Sequence, residues 1–248
     1  MTTLEKLFTP AQRSRLFEAI PNRYSCRSFS GAPSTADWAA LSYAAQRYAL
    51  PGVRLFLHTV PENIFTGIVL NYGKITGCTT IAVLAASIAQ PHSRIHAGIL
   101  GEAFCLEATA MGLGTCWVAG TYKRKQLELP LQADETVLSI IAIGVPEKAA
   151  PDARKRKSLD RICKGDIRQW PEELRRAAAA VQMAPSALNL QPWEMAYTDG
   201  HFTLDAPQLH QLDLGIAVCH AELAVAEPHL WHFGDGKREP LACMTAKE

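Results

Sequence analysis

Apolar and polar positions alternate along the chain in stretches that predict helices separated by short strands. Residues 4–19 mix apolar and charged positions and are predicted as a helix, and residues 33–50 as a second helix. In the second helix, Ser34 or Thr35 can cap the first turn, Asp37 lies within that turn, and a Pro-Gly pair ends the helix. The sequence therefore begins with two helices joined by a polar loop.

The most apolar segments of the first part predict buried elements. Residues 53–60 and 115–119 are predicted as strands, and residues 94–111 as a long helix with a glycine stop at its end. Residues 79–89 are predicted as a buried helix. Residues 136–145 form a nearly continuous run of Ile, Val and other apolar residues, which is typical of a strand buried on both faces. We expect that strand to be central in the sheet.

A linker rich in proline, alanine, lysine and arginine at residues 146–157 divides the chain roughly in two. After it, residues 171–183 and 214–226 are predicted as helices. Residues 193–198 and 201–204 are predicted as strands joined by an Asp-Gly turn. The second part thus repeats the order of the first in abbreviated form.

Short matches in a shared order suggest an internal duplication. The segments GEAFC and GIAVC align, and AAQ at 44–46 aligns with AVQ at 180–182. Each match is weak alone, because alanine-rich helices resemble one another by chance. We expect residues 1–157 and 158–248 to be two halves of one compact unit. The matched pairs in the long helices are Gly101 with Gly215, Ala103 with Ala217, Cys105 with Cys219, and Ala110 with Ala224.

Composition and charge narrow the class of protein. The chain has 248 residues, of which 48% are hydrophobic and 20% charged, so most of it is not disordered. Its net charge of +1 provides no overall attraction to nucleic acid or to an anionic membrane. The cysteines are odd in number, lack a Cys-x-x-Cys pair and lie mostly in apolar runs, which predicts a reducing cytoplasm. They are Cys26, Cys78, Cys105, Cys116, Cys163, Cys219 and Cys243.

Neither secretion nor membrane insertion is predicted. Residues 1–20 interrupt apolar positions with charges and lack the continuous apolar core of a signal peptide. The longest apolar stretch, residues 78–89, is too short to span a bilayer. We therefore expect a cytoplasmic protein without a membrane partner.

The segment APSALNLQPW at residues 184–193 is the richest local signal. Its two prolines stiffen the backbone between a helix and a strand, while Ser186, Asn189 and Gln191 offer short donors and acceptors. Such a loop could hold a polar ring in one orientation. The alternative, favoured by composition alone, is a stiff connection whose polar side chains cap backbone groups.

Two basic segments could bind a phosphate. RYSCRSF contains Arg23, Ser25 and Arg27, and guanidinium groups with a nearby hydroxyl suit phosphate oxygens. The alternative is a solvated turn in which Arg27 pairs with a carboxylate. The second segment, RKRK at residues 154–157, is either a phosphate site or a solvated loop. A nucleic-acid patch is a weaker reading, because no aromatic residues are interleaved to stack bases.

Glycines flank the short apolar strand in GLGTCWVAG at residues 112–120, which permits close approach of the backbone to a flat ligand. The segment is not a Gly-x-Gly-x-x-Gly fingerprint, so a classical dinucleotide-binding fold is not expected.

The sequence gives little support for a metal site, a hydrolase, a P-loop or an activated cysteine. The pairs His92 with His96 and His229 with His232 have ligand-like spacing but lack further ligands at motif spacing, so a metal site is not expected. The nucleophile motif of hydrolases and the P-loop are absent from the sequence. Cys26 lies between two arginines that could lower its thiol pKa, although no partner base is identifiable.

In their order along residues 12–226, these segments resemble the flavin-dependent nitroreductase family. The segments are Arg-x-Ser-x-Arg-x-Phe, Gly-Leu-Gly-Thr-Cys-Trp, Gly-x-Pro followed by a basic run, and Pro-Ser-x-x-Asn-x-Gln-Pro-Trp. The last is the most specific, and it lies here in the second half rather than directly after the N-terminal motif. That order resembles the subgroup, known from Thermotoga, in which a single chain mimics the usual homodimer.

The resemblance implies an α+β nitroreductase-like fold with a mixed, mostly antiparallel sheet flanked by helices, in two pseudo-symmetric halves. The first-half counterpart of the specific loop, residues 49–54, has lost the Ser and Asn, so one complete FMN site is expected. The implied cofactor contacts are the N-terminal motif Arg23, Ser25 and Arg27; the phosphate-binding Arg154 and Arg156; the ring-edge Pro185, Ser186, Ala187 and Asn189; and Ala119 and Gly120 near flavin N5.

The resemblance therefore predicts an oxidoreductase that uses FMN and NADH or NADPH to reduce a nitroaromatic, a quinone or a similar planar acceptor. A catalytic side chain is not expected, because the chemistry takes place at flavin N5. The chain is expected to be a monomer. The alternative is a flavin-binding or flavin-storage protein without turnover, which the incomplete first half and Ala119 keep open. A nucleic-acid adaptor using residues 154–157 is a third interpretation.

Overall fold

A computed structural model describes residues 2–4, 7–66, 74–87, 89–151, 154–227 and 229–245. Within these residues the chain is α+β, as predicted, with five α-helices and ten strands. The helices are α1 (Pro10–Ala19), α2 (Thr35–Arg47), α3 (Ser93–Ala110), α4 (Glu172–Met183) and α5 (Gln211–Ala224). The strands are β1 (Thr2–Thr3), β2 (Phe29–Gly31), β3 (Val53–Thr59), β4 (Thr80–Ser87), β5 (Gly114–Val118), β6 (Glu135–Pro146), β7 (Glu194–Thr198), β8 (His201–Asp205), β9 (Leu230–His232) and β10 (Ala242–Thr245).

Capping residues set where the first two helices begin. α1 starts at Pro10, later than predicted, because Thr9 and Gln12 form a capping box: the Thr9 hydroxyl accepts from the Gln12 amide at 3.3 Å, and the Gln12 side chain accepts from the Thr9 amide at 3.0 Å. In α2, Ser34 and Asp37 form the equivalent box, which confirms the predicted cap. The residues before Thr9 include Leu7, which is buried in the core instead of continuing the helix.

The helix predicted over residues 79–89 is wrong, because residues 80–87 of this segment form strand β4. All eight residues from Thr80 to Ser87 are buried, and the strand pairs with β3 on one side and β6 on the other. A continuously apolar run does not show whether it is a strand or a helix, because both are apolar all round when fully buried. Pairing with a strand on each side shows that this segment is a strand.

Two antiparallel sheets form the framework. The larger has the order β2-β6-β4-β3, and β5 also pairs with β6. The expectation that residues 136–145 are central is confirmed, because β6 contacts three other strands. The second sheet has the order β1-β9-β10-β8-β7, so the start of the chain joins a sheet built from its second half.

Helices α3 and α5 cross with their backbones in contact, and a glycine lies on each side of the crossing. A Cβ atom added at Gly98 would lie 2.2 Å from the carbonyl oxygen of Leu212, and one added at Gly215 would lie 2.0 Å from the carbonyl oxygen of Ile95. These reciprocal contacts place Gly98 opposite Gly215. Gly101, which the sequence alignment pairs with Gly215, instead faces the Trp117 ring. The duplication itself stays a prediction.

The N-terminal turn of α3 packs into a group of aromatic rings. The ring centroids of His96 and Phe233 are 5.7 Å apart, those of His92 and Phe233 are 5.8 Å apart, and Trp231 stacks on Phe233. His96 Nδ1 donates to the carbonyl oxygen of Pro51 at 3.0 Å. The described residues contain no group of three metal-ligating side chains, and His92 and His96 belong to this aromatic packing.

Acid should weaken the fold through this aromatic group. Burial lowers the pKa of His96 and of His92 below the usual value. The unfolded chain therefore binds protons first as the pH falls below about 6.5, so the free energy of unfolding decreases there by at most about 1.4 kcal/mol per pH unit for each proton. Urea titrations between pH 7 and 5 should show a shallower decrease for His96→Gln than for wild type. His201→Gln, at an exposed position of β8, is the control and should retain the wild-type slope. If the free energy of unfolding decreased equally with pH in all three proteins, His96 would not be a source of this pH dependence.

No helix in the described ranges is both long and apolar enough to cross a lipid bilayer.

Candidate functional site

All eleven residues predicted as cofactor contacts line one or both of two cavities, which share Ser25, Arg27, Pro185 and Ser186. The first, here called the apolar cavity, has a volume of about 250 Å³ and also contains Ala119, Gly120 and Ala187. The second, here called the basic cleft, has a volume of about 240 Å³ and also contains Arg23, Arg154, Arg156 and Asn189. The four shared residues place the two spaces next to each other, as the two ends of one candidate site.

Strand β5 and helix α5 both line the apolar cavity. β5 contributes Trp117 and Val118, and the chain then leaves the sheet at residues 119–121. A Cβ atom added at Gly120 would meet no atom within 4 Å, so the backbone there is open to a ligand. Sequence reasoning singled out the segments that contain Cys116, Trp117, Val118 and Leu188 but did not assign these residues to the site. It missed the remaining lining residues because they come together only in the fold; they are Thr121, Ser139, Leu212, Asp213 and Ile216.

The loop between α4 and β7 is strained where it borders both spaces. Leu188, Asn189 and Gln191 have φ angles of 53°, 54° and 47°, in the left-handed region that non-glycine residues rarely adopt. Each such residue costs on the order of 1 kcal/mol or more, and such residues cluster at ligand sites. Buried Gln191 holds the loop in place. Its side-chain Oε1 accepts from the backbone N–H of Lys157 at 2.8 Å, and its backbone N–H donates to Ser186 Oγ at 2.8 Å.

Ser186 and Asn189 act as loop caps in this structure. Besides the Ser186 bond to Gln191, the Asn189 side chain donates to the Lys155 carbonyl at 3.1 Å and accepts from Arg156 at 2.9 Å. Asn189 lines the basic cleft and is not part of the apolar-cavity lining, whereas Ser186 borders both. The structure thus places Asn189 toward the predicted phosphate end and Ser186 between the two ends.

Arg154 and Arg156 turn their guanidinium groups toward the protein rather than toward bulk solvent. Arg154 donates to the backbone carbonyls of Pro21 and Arg23. Arg156 donates to the carbonyl of Met183 at 3.0 Å as well as to Asn189. Both arginines are half-buried, so the basic segment forms the wall of the cleft.

Crowded positive charges indicate that the basic cleft suits an anion. Burial, followed by the charges of Arg23 and Arg154, lowers the pKa of Arg156 to about 10. Burial and the charge of Arg23 also lower the pKa of Arg154. Arg23 Nη1 and Arg156 Nε are buried and have no hydrogen-bond partner within the described part of the chain. Because buried donors are normally satisfied, a bound anion such as a phosphate would complete this site.

Glu102 of α3 contacts one lining residue of each space. Its fully buried carboxylate accepts from Trp117 Nε1 at 2.9 Å and lies 3.4 Å from Arg23 Nε. His220 Nε2 lies 3.0 Å from the same carboxylate, while His220 Nδ1 donates to the Ala180 carbonyl at 2.8 Å. Glu102 is the buried carboxylate in contact with Arg23, whereas Arg154 and Arg156 donate to carbonyl and amide oxygens, so the arginines of the cleft keep an excess of positive charge.

The cysteines near the site are not activated thiols. Burial raises the pKa of Cys26, and this outweighs the lowering effects of its hydrogen bonds with Tyr24 and Ser28 and of the charge of Arg27, so the nearby arginines do not make it an activated thiol. Burial also raises the pKa of Cys116, in the apolar-cavity wall, to about 11. All seven cysteines are free of disulfides. Thiol chemistry is therefore not favoured at neutral pH.

Comparisons with known proteins agree with this geometry. A family model described as "Putative TM nitroreductase" matches residues 15–225. The chain is similar to a solved structure described as a putative nitroreductase from Thermotoga maritima, with 25% identity, 92% of each chain covered and a TM-score of 0.67. The predicted nitroreductase-like fold is thereby confirmed.

Other solved structures are less similar. A nitroreductase family protein from Clostridium novyi is 20% identical over 53% of this chain and 86% of its own, with a TM-score of 0.45. A nitroreductase with bound FMN from Desulfitobacterium hafniense is 17% identical over 61% of this chain and 98% of its own, with a TM-score of 0.48. No curated protein matches the sequence.

Proposed function

The chain belongs to the putative TM nitroreductase family, and from this premise we propose that it is an FMN-dependent oxidoreductase. The proposed reaction passes hydride from NADH or NADPH to a nitroaromatic, a quinone or a similar planar acceptor. FMN, when bound, supplies a ring nitrogen that accepts hydride and returns it to the acceptor.

The observation that carries this proposal is the joining of an apolar cavity to a basic cleft with unpartnered buried donors. FMN has a flat ring at one end and a phosphate dianion at the other, and the two spaces offer matching chemistry. Arg23, Arg154 and Arg156 would hold the phosphate, aided by Ser25.

The ring end would rest against small residues. Ala119 and Gly120 let the backbone approach a flat ligand, and Pro185 and Ala187 border the opposite side of the apolar cavity. Trp117, Val118 and Ile216 exclude water from this space, which favours hydride transfer over side reactions. The nicotinamide and the acceptor would bind in the apolar cavity one after the other.

The test is the absorption spectrum of the freshly purified protein, followed by anaerobic addition of NADH or NADPH. We expect a yellow protein whose flavin absorbance bleaches with one of the two donors and returns when p-benzoquinone is added. A protein that holds FMN but is bleached by neither donor would be a flavin-binding protein without turnover. A colourless protein that does not bind added FMN would contradict both functions.

We also propose that the protein is monomeric, because α3 and α5 already pack against each other within one chain. Light scattering coupled to gel filtration should give about 27.1 kDa, the mass of one chain, over a wide concentration range. A stable mass near twice that value would contradict the monomer while leaving the flavin site untouched.

A further inference from the structure

We propose that Asp213 delivers the proton that the acceptor takes up on reduction, and that His210 replaces this proton from solvent. The inference rests on the proposed function. Asp213 lies in the first turn of α5 and is the one acidic residue that lines the apolar cavity within the described ranges. A carboxyl group at that position is therefore placed to meet whatever occupies the cavity.

The contacts of Asp213 form a path from solvent to the cavity. One oxygen, Oδ2, lies 2.9 Å from Nδ1 of His210, whose side chain is 15% exposed. The other, Oδ1, accepts from the Ala187 amide at 2.8 Å and faces the loop that borders the cavity. Each carboxylate oxygen has two lone pairs, so Oδ1 can carry a proton while keeping the Ala187 bond.

The helix crossing relates Asp213 of α5 to His96 of α3, and this comparison supports a chemical role beyond holding the loop. The reciprocal contacts at the helix crossing match Ile95 with Leu212, and the next residues are His96 and Asp213. Both hold a nearby loop, since His96 donates to the Pro51 carbonyl and Asp213 accepts from the Ala187 amide. His96 holds its loop in a part of the fold where aromatic rings pack together. Asp213, with its histidine partner, holds its loop beside the open cavity.

The other charged group that lines the cavity is Arg27, from the segment before β2. Helix α3 meets this turn of α5 through the backbone, at Gly98 and Leu212. The loop from α4 contributes the uncharged Ala187 amide. His210 is thus the proton source in direct contact with Asp213.

The proposed step balances for a quinone acceptor. Reduction to a hydroquinone takes up one hydride and one proton. The C–H bond of NADH or NADPH breaks, and its hydride reaches a quinone oxygen by way of the cofactor site and forms the first hydroquinone O–H bond. The Asp213 O–H bond breaks as the second hydroquinone O–H bond forms, and the His210 imidazolium then returns a proton to Asp213. The sum is NAD(P)H, one proton and quinone giving NAD(P)⁺ and hydroquinone.

The two half-reactions separate this inference from the proposed function. Anaerobic stopped-flow would measure flavin bleaching by NADH or NADPH and flavin reoxidation by p-benzoquinone from pH 5.5 to 8.5. Asp213→Asn keeps an oxygen for the Ala187 amide but cannot deliver the proton. We expect reoxidation to slow about a hundredfold, at least ten times more than bleaching. The wild-type reoxidation rate should decrease toward alkaline pH, and this dependence should flatten in the variant.

Controls separate proton delivery from loop positioning. Asp166→Asn removes a carboxylate that lines neither the apolar cavity nor the basic cleft and should match wild type in both steps. Hydrogen exchange of the Ala187 amide in the protein without cofactor should stay protected in Asp213→Asn and lose protection in Asp213→Ala. His210→Gln should flatten the pH dependence as well.

Reoxidation with the wild-type rate and pH dependence in Asp213→Asn would overturn the inference, provided that bleaching proceeds. Lost protection of Ala187 in Asp213→Asn, with both half-reactions slowed equally, would assign Asp213 to loop positioning alone and also overturn it. Failure of both NADH and NADPH to bleach the wild-type flavin would overturn the proposed function, and this inference with it.

Discussion

Replacing Gly98 by alanine should lower the free energy of unfolding by about 3 kcal/mol. The added Cβ would lie 2.2 Å from the Leu212 carbonyl oxygen and 2.8 Å from Gly215 Cα, and both are backbone atoms. A side chain could rotate away, but here two helices must separate. Gly215→Ala should have an effect of similar size, since its Cβ would lie 2.0 Å from the Ile95 carbonyl oxygen.

Urea denaturation of the purified variants would measure this loss, and Gly31→Ala is the matched control. Gly31 has no neighbouring atom within 4 Å of an added Cβ, so its replacement should change the free energy of unfolding by less than about 0.5 kcal/mol. If Gly98→Ala and Gly31→Ala were equally stable, the close helix crossing would be wrong.

The same crossing positions part of the candidate site. Leu212, Asp213 and Ile216 lie within one turn of Gly215 and form one side of the apolar cavity. A shift of α5 away from α3 would move that side relative to Trp117. Protein that survives the Gly98→Ala change should therefore bind FMN more weakly, which fluorescence titration can measure.

Local signals predicted the elements whose ends or composition are distinctive. The capping residues of α2 and the Ile- and Val-rich run of β6 can be recognised without any tertiary contact, and both predictions hold. Strand β4 was missed because its buried alanine-rich run fits either a helix or a strand, and only pairing with β3 and β6 decides between them.

In the candidate site as well, local signals identified some residues, whereas others could be found only from tertiary contacts. Sequence motifs identified residues that border the two spaces, because prolines, arginines and glycines carry recognisable local constraints. Asp213 and Leu212 were missed, since they precede the predicted start of their helix at residue 214 and their lining role depends on the crossing at Gly98. The roles of Ser186 and Asn189 also depend on tertiary hydrogen bonds that sequence spacing does not show.

Replacing Arg156 by alanine should weaken FMN binding about ten- to a hundredfold, while riboflavin binding should change by less than about threefold. The phosphate is the group that distinguishes the two ligands. A charge-assisted hydrogen bond contributes roughly 1.5–3 kcal/mol, which corresponds to that loss. Arg156 suits this contact because burial and, after it, neighbouring positive charges lower its pKa, and because its buried Nε has no partner in the described structure. Fluorescence titration of the protein without cofactor measures both affinities.

The bond from Arg156 to Asn189 makes a second variant necessary, because truncating the arginine also releases one support of the strained loop. Asn189→Ala removes the same support and leaves the guanidinium in place, so any loss caused by the loop should affect FMN and riboflavin equally. Arg161→Ala removes an exposed arginine of the same half and should leave both affinities at the wild-type value. Selective loss of FMN in Arg156→Ala, without selectivity in Asn189→Ala, would place the phosphate at Arg156. Equal losses of FMN and riboflavin in Arg156→Ala would assign this arginine to the loop, and the basic cleft would then need another explanation for its excess charge.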